Sequence, residues 1–360
     1  MNVLLLSPYP IMAGSTRLRL HQYLPLLQAQ GHRVTIWSFF NEADYRALYQ
    51  NGNWPRKLLA FFAGTLRSWR LMLALPRYDV CVIHREVAPL GFGWFEFLTA
   101  KCARCLIYDF DDAVFEPNVS AANRLFAFLK SPRKIPVLLA RCDAAIAGNS
   151  YLEHYAKKFV RRTQQLPTPV DTQHFTPHRK AESAPIVIGW IGSHSTAPYL
   201  TLVREALQRL QLEMGEQLRL VFIGAGNFRV PDLDAEYQTW RLENEVEELR
   251  QFDLGIMPMP DNRWTRGKCG FKALLYMSVG LPVVCSPVGF NREIITPETN
   301  GLWAETATQW YEALHRLAHD VELRQRMGAH GRRLVEEKFS VEKCAPRFEA
   351  ILREAVQSNK

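Results

Sequence analysis

The chain has no acidic residue between Asp44 and Asp79 and none between Asp261 and Glu293. Neither stretch can hold a divalent cation with carboxylates of its own, nor pair its cations internally. No uninterrupted apolar run reaches the length that crosses a bilayer, and the opening MNVLLLSPYP lacks the basic leader of a secretory signal. The expectation is a cytoplasmic protein, at most peripheral on the inner face of a membrane. Seven cysteines, odd in number and scattered, suit a reducing compartment better than a disulfide framework. Cys102-Ala-Arg-Cys105 is the only C-x-x-C, and it precedes an apolar run instead of following one. With no second such pair and no paired histidines to complete a zinc site, no metal is expected. His21, His32 and His315 read as surface or packing residues. No G-x-G-x-x-G with a following acid opens either half, which argues against a bound dinucleotide, and no cofactor is expected. No nucleic-acid-binding module accompanies the net charge of +8, so nucleic acid is not an expected partner.

What the chain does have is charge in particular places. Residues 1–177 hold 21 Lys/Arg against 12 Asp/Glu, whereas residues 178–360 hold 23 against 24, so the excess lies in the first half. Within the first acid-free stretch, Arg46, Arg56, Lys57, Arg67, Arg70 and Arg77 interleave with Trp54, Phe61, Phe62 and Trp69. That pattern fits either contact with an anionic membrane surface or a packed amphipathic helix with a solvated basic face. In the second stretch, Arg263, Arg266, Lys268 and Lys272 precede or open a helix over 271–279, after which Gly280-Leu-Pro282 ends it and Val283–Cys285 reads as a buried strand. Cations at a helix start are disfavoured by the macrodipole unless an anion is bound there, and phosphate is the natural candidate.

At 360 residues the chain is expected to form two domains. Short apolar strands at 3–6, 34–37, 80–83, 106–108 and 144–147, then at 187–191, 218–223, 254–257 and 283–285, alternate with helical stretches. Such runs indicate parallel sheets covered on both faces. The proline-rich segment 166–177 reads as the link, giving domains 1–170 and 171–340, with a helix in 341–360 returning to the first. Ligands of open parallel sheets lie beyond the carboxyl ends of the strands. There the sequence has Gly14-Ser15-Thr-Arg17 before a helix from about Leu18, Gly192-Ser193-His194 entering a helix, and Gly224-Ala-Gly226. Glycine permits close approach to a ligand, and Arg17 can pair with a phosphate or carboxylate. The run Asp109-Phe-Asp111-Asp112 crowds like charges, which should perturb one another's protonation. Its spacing suits either a divalent cation or an aspartate that orients an acceptor hydroxyl, with Asp111 preferred, and His84-Arg85-Glu86 ends a neighbouring strand. Trp240 precedes a short helix and fits a nucleobase flank or a core position equally.

Taken in order, Gly14-Ser-Thr-Arg17, Gly31-His-Arg-Val-Thr35, Pro169 to Pro177, Phe222-Ile-Gly-Ala-Gly226 and Tyr276 to Gly289 resemble the GT-B glycosyltransferases, specifically glycosyltransferase family 4, over nearly the whole chain. The resemblance implies an α/β fold of two Rossmann-like, doubly wound parallel-sheet domains facing a central cleft. It implies that the second domain holds a nucleotide-sugar donor and the first a glycan or lipid-linked acceptor, with retaining, metal-independent transfer. The expected donor-binding set is Gly14, Ser15, Arg17, Gly192, Ser193, His194, Gly224, Trp240, Arg266, Lys268, Cys269, Gly270 and Lys272, and the expected catalytic set is Asp111, Asp112 and Glu86. The family's two glutamates, eight positions apart, align with Gly267 and Leu275, and its arginine and lysine with Ser193 and Pro198. The expectation is that Arg266, Lys268 and Lys272 replace the missing cations. The alternatives are a nucleotide-sugar epimerase of similar fold, or a catalytically silent glycosyltransferase-like binding protein.

Overall fold

The apolar runs become two parallel sheets in a computed structural model that describes residues 1–48, 52–89, 93–116, 134–177 and 185–359. The first sheet contains β1 (Asn2–Ser7), β2 (Arg33–Ser38), β3 (Val80–His84), β4 (Leu106–Phe110), β5 (Ala144–Ala147) and β6 (Thr163–Gln165), in the order β2-β1-β3-β4-β5-β6. The second contains β7 (Ile186–Ile191), β8 (Leu218–Ile223), β9 (Glu236–Gln238), β10 (Leu254–Met257), β11 (Val283–Cys285) and β12 (Gly301–Trp303), in the order β12-β11-β10-β7-β8-β9. Val3 pairs with both Val34 and Val80, which fixes β1 inside the first sheet, between β2 and β3.

Alternation along the central strands explains why both faces must be covered. In β7, Ile188 and Trp190 enter one apolar cluster, whereas Val187 and Ile191 enter another on the opposite face. A strand buried on two sides needs helices on two sides, and the connecting segments supply them.

Contacts divide the chain into a first unit, Met1–Pro169 with Val341–Lys360, and a second unit, Val170–Ser340. The helix Val341–Gln357 belongs to the first unit, where Phe348 stacks on Tyr23 at 4.6 Å and its Cys344, Ile351 and Leu352 join the cluster under β1. In each sheet the chain leaves in opposite directions from two neighbouring strands: β1 and β3 in the first, β7 and β10 in the second. The carboxyl ends at these switch points are where such sheets bind ligands.

Two sequence expectations change. The first helix begins at Gly14 rather than near Leu18 and runs Gly14–Arg19, because Arg17 N already bonds to Ala13 O. The segment Trp54–Arg77 is, contrary to the reading above, long and apolar enough to cross a membrane by length and composition, once helical continuity instead of an unbroken apolar run is the criterion.

Candidate functional site

In the second unit, two loops meet at the switch point. The loop after β7 folds on itself: Thr196 N bonds to Ser193 O at 2.9 Å, and the Ser193 and Ser195 hydroxyls lie 2.8 Å apart. After β10 the short helix Arg263–Arg266 is closed by a reciprocal cap between Asn262 and Thr265. Gly267–Gly270 then leads into the helix Phe271–Ser278, which has no side-chain cap and no acid in its first turn. Tyr276 from this helix ties the two central strands together, since its hydroxyl accepts from Ile191 N at 3.0 Å and donates to Ile256 O at 3.2 Å.

Lys272 lies at this uncapped end and reaches back to the other loop. Its Nζ donates to Thr196 Oγ1 at 3.0 Å and sits 4.7 Å from the centre of the Trp190 ring. A Cβ at Gly192 would meet the Trp190 ring at 2.4 Å and Lys272 Cε at 2.8 Å, so glycine leaves the space the lysine stem occupies. Burial, together with the nearby Lys268 ammonium, pushes the Lys272 pKa down to about 7. Among the described residues no carboxylate pairs with it. Lys268 lies 5.3 Å from the Trp264 ring. The loop after β8 closes on the same place. Gly224, at φ +80°, passes so near the Gly192 carbonyl that a Cβ would come within 2.1 Å of its oxygen. His194 approaches Gly226, and Trp240 approaches Gly224 while donating from Nε1 to Glu245 at 3.0 Å.

Arg266 is placed differently. Its guanidinium holds Asp261 through two bonds of 2.6 and 3.0 Å and is half exposed, so its charge is already matched. Cys269 is buried and contributes packing, and Gly270 sets the geometry. Gly270 has φ +61°, and a Cβ there would lie 2.9 Å from Ile294 Cδ1 and 3.2 Å from the buried, unpartnered Asn291 Oδ1. Gly270→Ala is expected to lower stability by about 1–2 kcal/mol, since a left-handed alanine costs that much before any clash, and thermal unfolding measures it. Gly267 and Leu275, at the positions of the absent glutamates, are both buried, Leu275 within the core. Trp190 has no signal in the sequence beyond that of a buried strand residue, and Asn291 has none.

The first unit gathers its charges at the ends of β3 and β4, where His84 and Asp109 are register partners. Arg19, at the end of the helix Gly14–Arg19, holds the buried Asp109 through both oxygens and donates to Leu166 O at 2.8 Å. His84 Nδ1 meets Asp109 Oδ2 at 2.6 Å, while its buried Nε2 has no partner and lies 3.9 Å from Asp111 Oδ1. Arg85, in the left-handed region at φ +63°, bonds Asp111 at 2.7 Å and Asp112 at 2.5 Å. The crowding of like charges expected from the sequence is thus relieved by two arginines distant in sequence. Burial alone would push the Asp111 carboxyl up, but Arg85 beside it, with His84, holds it well below the usual carboxylate range. Such a group stays ionised at neutral pH and can accept a hydrogen bond, but cannot serve as an acid. Glu86 is bound to Lys134 at 2.5 Å, which also holds Glu96 at 3.1 Å. A Cβ at Gly14 would meet Arg17 Nη2 at 4.0 Å, an ordinary contact, and Ser15 and Arg17 are partly exposed on the same turn.

His315 is half-exposed on the surface and His32 is buried, in keeping with surface and packing roles, and each has a partner. The His315 Nε2 meets Glu213 at 2.9 Å, and with His319 one turn on, three potential ligand atoms lie within 4.8 Å on the surface. His32, likewise, meets Glu349 at 3.0 Å. Both members of the C-x-x-C are free thiols, Cys102 exposed and Cys105 buried.

Against known families, residues 185–320, the span that carries Lys268, Lys272 and the Gly192 loop, match the model described as glycosyl transferases group 1. The chain as a whole has the GT-B fold. Sucrose-phosphate synthase from Thermosynechococcus elongatus is similar with a TM-score of 0.71 at 14% identity, covering 99% of this chain and 100% of that one. A glycosyltransferase from Rickettsia africae gives 0.69 at 15% identity over 100% and 99%. Anabaena HepE in complex with UDP-glucose gives 0.67 at 14% identity over 98% and 100%. No curated protein matches by sequence.

Proposed function

We propose that the second unit binds a nucleotide-sugar donor, with its diphosphate at the amino end of the helix Phe271–Ser278 between Lys272, Lys268 and the Gly192–Thr196 loop. The carrying observation is Lys272, a partly buried ammonium with no carboxylate partner among the described residues, at an uncapped helix start, its pKa pushed down to about 7. An incoming diphosphate supplies the missing countercharge and draws on the free N–H groups of the first turn. The same contacts then stabilise the leaving diphosphate as charge develops on it. That HepE was solved with UDP-glucose supports a uridine donor as the first choice.

In this reading transfer retains the anomeric configuration and needs no metal, since cations of the protein face the phosphates. The first unit takes a glycan or lipid-linked acceptor, in glycan assembly at the cytoplasmic side of the cell envelope. Asp111, held ionised, accepts a hydrogen bond from the acceptor hydroxyl and orients it. Lys268 and Lys272 take over the function of the family's cations, which are absent at Ser193 and Pro198. The absence of carboxylates at Gly267 and Leu275 favours one rival, a silent binding protein.

Thermal-shift measurement against UDP, GDP, CMP, ADP and NAD tests the proposal. A nucleoside diphosphate at a hundred times its Kd is expected to stabilise the fold by about 2.7 kcal/mol, with no shift from NAD. Absence of any shift with all five sinks it. Binding without sugar transfer to any acceptor or to water would identify the silent protein, and donor turnover to a second nucleotide sugar would identify an epimerase.

A further inference from the structure

The helix Trp54–Ala74 is built the opposite way from an ordinary surface helix. Its packed side carries Ala60, Gly64 and Ser68 at four-residue spacing, with Leu71 and Met72. A Cβ on Gly64 would lie 2.5 Å from the Phe39 ring, so this backbone rests directly on the core. The large residues point outward. Leu58, Phe62, Trp69 and Leu73 are 68%, 68%, 55% and 83% exposed, and Trp54, Leu59 and Leu66 extend the set. Spacings of four, seven and four place the first four on one stripe. A helix in contact with water alone presents polar residues there, and a contiguous apolar face of this kind marks an interaction surface.

Length and composition would let Trp54–Arg77 span a bilayer, with one third of its apolar window buried. The packing argues against a crossing, because that would strip Ala60, Gly64 and Ser68 from the core they cover. The helix lies along its own domain with its stripe facing out.

Charge selects the occupant. Arg56, Arg70 and Arg77 are exposed, Lys57 sits 5.4 Å from the Trp54 ring, and no acid occurs between Asp44 and Asp79. The flanking acids are already engaged, Glu42 with Arg46 at 3.6 Å, Asp44 with Arg67 of this helix at 2.9 Å, and Asp79 as acceptor from Asn2 N at 2.7 Å. The neighbouring helix Trp94–Cys102 touches this one where Phe95 meets Trp69 edge-on at 5.6 Å, and it adds the exposed Trp94. Apolar residues bordered by tryptophan and arginine match the boundary between acyl chains and phosphate headgroups. A second copy of the same face would bring like charges together. We propose that this face docks on an anionic lipid bilayer, the stripe entering the boundary layer and the arginines holding lipid phosphates. The inference is independent of the reading of the transferase site.

Co-sedimentation of the full chain with vesicles tests it. Vesicles of phosphatidylcholine with one-third phosphatidylglycerol are expected to retain the protein, less so at high salt, and phosphatidylcholine alone to retain it weakly. Phe62→Ser with Leu73→Ser is expected to lower partitioning by at least about tenfold with unfolding temperature unchanged, since neither side chain is in the core. Arg70→Glu with Arg77→Glu should lower it by at least about tenfold on the anionic vesicles. No retention by anionic vesicles overturns the proposal, as does full retention by the folded F62S/L73S protein. A dimer in solution that F62S/L73S dissociates would assign the face to a second copy and equally overturn it.

Discussion

Replacing Lys272 with methionine is expected to weaken UDP binding by about a hundredfold, the usual scale for truncating one partner of a desolvated charge pair, while the second unit stays folded. Isothermal calorimetry measures this. Lys268→Ala should have the smaller effect, because Lys272 is the lysine whose ammonium bonds the Gly192–Thr196 loop through Thr196. The pH dependence separates a direct ionic contact from a structural one. Free Lys272 loses its proton near pH 7, far below its ordinary 10.5. A diphosphate favours the protonated form, so binding above pH 7 takes up a proton and affinity falls as pH rises. The methionine variant should lack that slope. Stability of the unliganded protein moves the other way. A lysine whose folded pKa is depressed binds fewer protons folded than unfolded between about 7 and 10.5, so its burial penalty is largest below pH 7 and fades as pH rises to 10.5. The variant's gain in denaturant midpoint over the parent should shrink in the same window. A gain independent of pH would mean that the ammonium is never buried, and would remove the basis of the proposed site.

The second large effect is in the first unit. Arg19→Met leaves Asp109 buried beside His84 without its guanidinium. Removing one member of a buried pair costs about 3–5 kcal/mol, more than most core substitutions, because the remaining charge cannot be hydrated. Urea unfolding should show a lower midpoint with an unchanged slope. Adding Asp109→Asn should restore part of the loss, and that recovery distinguishes an uncompensated charge from lost packing. Strictly additive losses would contradict the assignment.

Nine of the twelve strands are legible as short apolar runs. The other three, Thr163–Gln165, Glu236–Gln238 and Gly301–Trp303, are three residues long and lie at sheet edges. An edge strand pairs on one side only and need not be apolar, so a hydrophobic pattern does not reveal it. The membrane-length helix escaped for a related reason: Arg67 and Arg70 interrupt its apolar run in sequence but not its helix. In the second unit, Lys268 and Lys272 stand out because cations are unusual at a helix start, a local signal. Trp190 has no such signal, because alternation along β7 gives burial but not which ammonium lies over the ring. The Asp261–Arg266 pair spans five residues across a capped turn, and only the turn's geometry closes it. Asp109 in β4, with Asp111 and Asp112 just after it, reads as crowded because Arg19 and Arg85 lie far off in sequence. Arg19 and Asp109 are 90 residues apart, and the pairing of His84 with Asp109 needs the β3–β4 register.

Because the second unit is one uninterrupted segment, Val170–Ser340, while the first is completed by the helix Val341–Gln357, synthesis imposes an order of assembly. The ribosome makes every residue of the second unit before Phe348 exists to stack on Tyr23. The earlier-made sheet must wait with Leu20, Tyr23 and Leu27 uncovered, and exposed surface of that kind is what chaperones engage.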